Sequence, residues 1–139
     1  MTEQTASFPV PASVPRADWL LRAGFASVFL FHGPSKFADL AGGAEMMGLP
    51  VLVWALVALA ETAAGAGILL GRLLPDGFGD AVTRLSGAAV LPVMLGAIAM
   101  VHWPRWSFVP SETHPMGGME FQVVLMLLGL FFALRGNRA

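Results

Sequence analysis

The sequence predicts an all-α fold, an integral membrane antiparallel four-helix bundle, and three observations lead to it. Hydrophobic residues make up 56% of the 139 residues and charged residues only 12%, about half of the roughly 25% found in soluble domains. So few charges cannot cover the surface that a small domain exposes. Four apolar stretches follow one another along the chain, and Lys and Arg fall mostly on one side of them.

The apolar stretches predict four membrane spans within one domain, residues 18–139. The second and third contain few charges and are long enough to cross a bilayer. Arg22 interrupts the first, and the fourth needs its flanking charges at headgroup level. Residues 1–17 contain Pro9, Pro11 and Pro15 and are predicted to be extended or disordered. The predicted spans are 19–37, 50–71, 81–103 and 119–135.

The connections and the basic residues predict the topology. Residues 38–49 and 72–80 are predicted to be turns, and residues 104–118 an ordered cap rich in Pro and aromatic residues. Four spans place both termini on one side, and that side carries six Lys or Arg residues against two on the other. The positive-inside rule therefore predicts that both termini are cytoplasmic. We expect a multi-pass protein of the bacterial inner membrane. The six are Arg16, Arg22, Arg72, Arg84, Arg135 and Arg138.

Composition also excludes several classes of function. The formal net charge is −1, which provides no basic surface for nucleic acid. The chain has no Cys, which excludes disulfides, thiolate metal sites and thiol catalysis. Chemistry at this chain must therefore use His, Glu, Asp, Arg or a borrowed cofactor.

Glu61 is the most informative single residue, because it lies near the centre of the second span, where an unpaired carboxylate is costly. We expect it to point into the bundle and to meet Arg22 or His32, directly or through water. Two interpretations stay open: a structural tie between two helices, or a carboxylate that handles protons. We also expect His102 and Glu120 to lie near one another at the outer ends of their helices.

The remaining polar and small residues support weaker hypotheses. His102, His114 and Glu112 fall on the outer side and could bind a divalent metal, although no pair has helical ligand spacing. The Met residues are interpreted as apolar filler rather than copper ligands. Gly67 and Gly71 form a GxxxG pattern that predicts close packing against another helix.

Several of these residues, taken in order, resemble the DoxX family of small four-helix membrane proteins. The pattern comprises Arg22, "FHGPSK" at residues 31–36, Glu61, His102 and "GGME" at residues 117–120, and the resemblance covers residues 19–134. The family takes its name from the small subunit of a thiosulfate:quinone oxidoreductase. The resemblance implies a membrane subunit that works with redox partners. The glycine-rich, Asp-ending tail of many members is missing, since this chain ends in "ALRGNRA".

The resemblance implies a quinone-linked oxidoreductase or electron-transport assembly, in which the bundle holds a quinone. Glu61 or Glu120 would handle protons. Without a complete redox centre of its own, the chain would depend on a partner for electrons, so independent enzyme activity is left open. The alternatives are an accessory subunit packed against a larger respiratory or photosynthetic complex, and a transporter of a small solute or metal. The expected partners are the bilayer and other membrane subunits. The candidate quinone ligands are Arg22, His32, Lys36 and His102.

Overall fold

The computed structural model describes residues 17–137, and within that range the regular structure is entirely helical. A 3₁₀ turn, Phe37–Asp39, follows the first helix, and a π-helical turn, Ile98–His102, follows the fourth. Nearly all of the predicted N-terminal segment lies outside the described residues. The helices are α1 (Ala17–Lys36), α2 (Leu40–Met46), α3 (Val51–Leu73), α4 (Asp76–Ala97) and α5 (Glu120–Arg135).

The four long helices form an antiparallel bundle, which confirms the predicted fold class. α1 packs on α3, α3 on α4 and α4 on α5, whereas α1 and α5 meet at few places. Phe25 lies at the centre of the core, with its ring centroid 4.6 Å from that of Phe29 and 5.9 Å from that of Phe132. Ile68 of α3 and Val90 of α4 complete the core and are fully buried.

The outer surface of the bundle is apolar, as expected of helices that contact lipid. α3 and the continuous segment Asp76–His102 are long and apolar enough to cross a membrane. α5 has 16 residues and is therefore only about 24 Å long, and α1 carries three charged side chains. Large apolar side chains on all four long helices are at least 70% exposed, among them Leu20, Phe31, Leu52, Leu73, Leu85 and Leu134.

Two predicted connections are shorter or more ordered than expected. Residues 38–49 contain α2, which begins where Asp39 accepts a hydrogen bond from Gly42 N over 2.8 Å, a typical N-cap. Residues 72–80 shrink to Leu74 and Pro75. α4 begins directly after Pro75, where Asp76 in the first turn is favoured by the helix dipole.

The long connection between α4 and α5 is ordered by backbone pairing. Met119 N donates to Arg105 O over 2.8 Å, and Glu120 N donates to Trp106 O over 2.9 Å. The chain therefore turns back on itself before α5 begins. This connection closes the outer end of the bundle, the end opposite both termini.

Candidate functional site

Arg22 organises the terminal end of the bundle, where the first and last described residues lie. Its guanidinium is fully buried and donates to Asp18 Oδ2 and Ile68 O, each over 2.6 Å. It also donates to Thr83 Oγ1 over 3.2 Å and to Asn137 Oδ1 over 2.8 Å. Arg22 thus joins α1, α3, α4 and the residues that follow α5.

The expected contact between Arg22 and Glu61 is wrong. Arg22 is level with Ile68 on α3, and Ile68 lies seven residues beyond Glu61, a rise of about 10 Å along the helix. The guanidinium instead donates its hydrogen bonds to the four nearer acceptors named above. Glu61 has a different partner on α1.

That partner is Lys36, in the last turn of α1. Its Nζ lies 2.5 Å from Glu61 Oε2 and 5.4 Å from the centroid of the Trp54 ring. Nζ also donates to the backbone carbonyl of His32 over 3.2 Å. The expected contact of Glu61 with His32 is therefore replaced by a salt bridge to Lys36, one helical turn further on.

The Lys36–Glu61 pair lines a cavity of about 520 Å³ in the outer half of the bundle, a volume typical of small-molecule sites. Its walls come from all four long helices, the π turn and the connections, and they are mainly apolar. Pro92 and Gly96 of α4 are part of the wall. The polar lining residues are His32, Lys36, Glu61, His102 and Gln122.

His102 is held by protein groups at both ring nitrogens. Nδ1 lies 2.9 Å from Gly117 O, and Nε2 lies 2.9 Å from Gln122 Nε2. Because a carbonyl oxygen can only accept, Nδ1 must donate, and Nε2 of the neutral ring then accepts from the Gln122 amide. The π turn, a feature frequent at functional sites, places this buried ring at the cavity wall.

His32 differs from His102 because its ring has no hydrogen-bond partner within residues 17–137. The ring lies edge-on to that of Phe31, with centroids 5.2 Å apart, and the residue is exposed and lines the cavity. Of the two histidines in the cavity wall, His32 is the one with both nitrogens available to a ligand.

Glu120 forms a hydrogen bond with the outer connection. Its Oε2 accepts a hydrogen bond from Phe108 N over 3.3 Å. Glu120 and His102 lie at the same end of the bundle, but the side chain that contacts His102 is Gln122. Glu120 thus bonds to the connection that precedes α5.

The residues suggested for a metal do not assemble. His114 Nε2 lies 3.1 Å from Trp103 O, and Nδ1 lies 3.0 Å from Thr113 Oγ1. Glu112 is exposed. In the described part of the chain, no three His, Asp or Glu side chains come close enough to hold a metal ion. His102 and His114 bond instead to the connection and to Gln122.

Gly67 and Gly71 lie buried where α3 meets α4. A Cβ atom on Gly71 would lie 2.5 Å from Thr83 Oγ1 and 2.9 Å from Gly79 O. A Cβ atom on Gly67 would overlap Ser86 Oγ. Both positions therefore bring the two helix backbones close together.

Gln122 and Asn137 are the polar residues that sequence reasoning missed. Gln122 was detectable, because an amide within an otherwise apolar span is unusual. Asn137 gave no signal, since it lies in an ordinary polar tail. Its side chain donates to Gly71 O over 2.7 Å, and its backbone N donates to Asp80 Oδ1 over 2.7 Å.

Comparison with known proteins identifies relatives of this chain. A family model described as DoxX matches residues 17–103. The protein named "Putative oxidoreductase CatD" from Bacillus subtilis strain 168 is 28% identical over 122 residues, covering 86% of this chain and 78% of that protein. No solved structure matches the chain.

Proposed function

This chain belongs to the DoxX family, and we propose that it is a membrane subunit of a quinone-linked oxidoreductase or electron-transport assembly. The observation that carries the proposal is the cavity of about 520 Å³, apolar in most of its wall and polar around Lys36, Glu61 and His32. The name of the Bacillus subtilis relative includes the word oxidoreductase, which supports a redox role for this chain.

The residues present fit a quinone. Apolar side chains such as Val57 and Leu125 can pack against a ring and its hydrocarbon tail. The Lys36 ammonium and the unpaired His32 ring supply donors for the ring oxygens. Near them, Trp54 Nε1 and Gln122 Oε1 are buried without a partner within the described range, which leaves unused hydrogen-bonding capacity beside the cavity.

The proposed roles of the chain's own side chains are binding, orientation and proton transfer. A bound quinone would serve as the two-electron acceptor, reduced by a redox partner with uptake of two protons. Lys36 and His32 would hold the ring oxygens, and the apolar wall would pack against the ring. Glu61, with one oxygen on Lys36, is placed to pass a proton along the cavity wall.

Ligand binding tests the proposal most directly. The full chain in nanodiscs is titrated with a short-chain benzoquinone, and quenching of tryptophan fluorescence reports occupancy beside Trp54. We expect Lys36→Met to weaken binding about tenfold, equivalent to about 1.4 kcal/mol. Ser35→Ala, at an exposed neighbour whose hydroxyl bonds to its own helix, is the matched control. Equal affinity in all three proteins would refute the quinone site.

Glu61→Gln tests the proton role within an intact assembly. The substitution keeps the shape of the side chain and removes its titration. We expect quinone-linked turnover to fall while the subunits still copurify. Unchanged turnover with normal assembly would remove the proton role, and loss of assembly alone would leave Glu61 as a tie between α1 and α3.

The alternative function is an accessory subunit that packs against a larger membrane complex. It is favoured by the short α5 and by the few contacts between α5 and α1, since a helix of another subunit could cover that seam. Copurification from native membranes distinguishes the two functions. A stable complex in which the Lys36→Met variant retains full turnover would favour the accessory role.

We also propose that the protein crosses the bacterial inner membrane with both termini in the cytoplasm. The absence of native Cys allows single-cysteine labelling at exposed positions of either end. A membrane-impermeant maleimide should label Val109→Cys in the outer connection and spare Gly77→Cys in the first turn of α4. The reverse pattern would invert the topology.

A further inference from the structure

A second pocket, of about 250 Å³, lies at the outer end and is lined mainly by methionines. The chain has eight methionines, and half of them surround this one pocket. They come from three separate segments: the end of α2, the π turn and the outer connection. The lining residues are Met46, Met47, Met100 and Met116, with Val101 and Pro115.

Three of these four methionines are unusually exposed for filler, and Met47 is partly buried. Met46 is 78% exposed, Met116 61% and Met100 53%, whereas Met94 in the core is 6% exposed. A core methionine is used to fill gaps between other side chains. Exposed thioethers around a shared pocket instead leave their sulfur atoms accessible to a solute.

Thioether sulfur is a soft, neutral ligand that selects Cu(I) among biological metals, and Ag(I) has the same charge and similar softness. Methionine has three rotatable bonds, so sulfurs around one pocket can turn towards a common ion. No Cys competes for the ion anywhere in the chain.

The net charge at the outer end of the bundle favours a cation. Apart from the Lys36–Glu61 pair, which is neutral overall, the described residues of the outer end carry four carboxylates and one guanidinium. This excess of negative charge raises the local concentration of cations. The carboxylates are Asp39, Glu45, Glu112 and Glu120, and the guanidinium is that of Arg105.

We propose that this methionine pocket binds one soft monovalent cation, Cu(I) or Ag(I), through the thioethers of Met46, Met47, Met100 and Met116. The site is independent of the quinone proposal, although Met47, Met100 and Met116 also line the larger cavity. An ion bound there therefore lies at the wall between the two spaces.

The test is a calorimetric titration of the full chain in detergent with Ag(I), in chloride-free buffer. We expect one tightly bound ion per chain. Replacing Met47, Met100 and Met116 together with Leu should weaken binding at least 100-fold. The matched control replaces Met94, Met119 and Met126, which lie outside the pocket, with Leu, a change that nearly conserves volume, and should bind as the native chain does.

Equal loss in both triple variants, or no tight site in the native chain, overturns the proposal. A measurement on the native chain keeps the test decisive if the pocket variant does not fold. The copper K-edge absorption of the Cu(I)-loaded protein should show sulfur neighbours. A spectrum with only nitrogen or oxygen neighbours also overturns the proposal.

Discussion

The two ends of the bundle each contain a cation bonded to a carboxylate, fully buried in Arg22 and partly buried in Lys36, yet their surroundings differ. At the terminal end, Arg22 donates to four protein acceptors and is fully buried. At the outer end, Lys36 meets Glu61 beside a cavity, and the ring of His32 in the cavity wall has no hydrogen-bond partner within residues 17–137. The presence of an ion pair inside the bundle therefore does not by itself indicate a functional site. A purely structural ion pair differs from one in a ligand-binding site in two respects. In a binding site, some hydrogen-bonding groups remain without a partner, and a cavity lies next to the pair.

Backbone packing shows the same contrast. Gly71, at the terminal end, is enclosed by α4, with Thr83 N and Gly79 O each 2.9 Å from the position of an added Cβ atom. Gly96, in the cavity wall, has no atom within 4 Å of that position. α3 and α4 thus approach closely at Gly71, whereas α4 borders open space at Gly96, in the cavity wall.

The largest expected effect is loss of stability in Arg22→Met. The substitution removes all four hydrogen bonds that the guanidinium donates, and breaking a buried pair at one partner costs about 3–5 kcal/mol. Reversible unfolding in mixed micelles measures the change. Arg72→Met, which alters a partly exposed arginine at the same end, should cost far less. If both variants lose the same amount of stability, the hydrogen bonds of Arg22 do not hold the helices together at the terminal end.

The next effect is steric, in Gly71→Ala. The added methyl group meets backbone atoms that cannot yield without separating α3 from α4, and overpacking typically costs about 1–3 kcal/mol. Gly96→Ala adds the same methyl group where space is open and should be neutral or slightly stabilising, because Ala favours a helix. Similar melting temperatures for the two variants would contradict the contrast in packing.

Lys36→Met should destabilise the protein less than Arg22→Met does. Glu61 loses its partner, at a cost of about 1–3 kcal/mol for an unsatisfied group, but the adjoining cavity gives it access to water. The same unfolding assay measures this difference. Lys36→Arg, which keeps the charge, should restore most of the stability. A loss equal to that of Arg22→Met would place Glu61 in a sealed core.

The smallest effects separate the two histidines of the cavity wall. His102→Ala should lower stability by about 1 kcal/mol for each of the two hydrogen bonds that it removes. His32→Ala should leave the unfolding midpoint unchanged and weaken binding of a short-chain benzoquinone instead. Parallel unfolding and fluorescence titrations measure both properties. A destabilised His32 variant with native affinity would reverse the assignment of these residues.

Much of the fold could be predicted because it depends on local composition. The four apolar stretches matched α1, α3, α4 with its π turn, and α5 to within a few residues, except that α4 begins at Asp76 and not near residue 81. The difference arises because a helix can begin in polar sequence when a proline precedes it and an acidic residue occupies its first turn. α2 was missed because its seven residues, which include two glycines, carry no apolar period.

The sequence by itself determined that four long helices form, that their outer faces are apolar, and that Glu61 needs a partner. Only the tertiary structure decided which partner, because the vertical register of α1 against α3 is fixed by close packing and leaves Lys36, not Arg22, level with Glu61. It likewise decided that His102 is occupied and His32 available, and that four methionines from three segments share one pocket. Such pairings depend on contacts between distant parts of the chain, which no local pattern records.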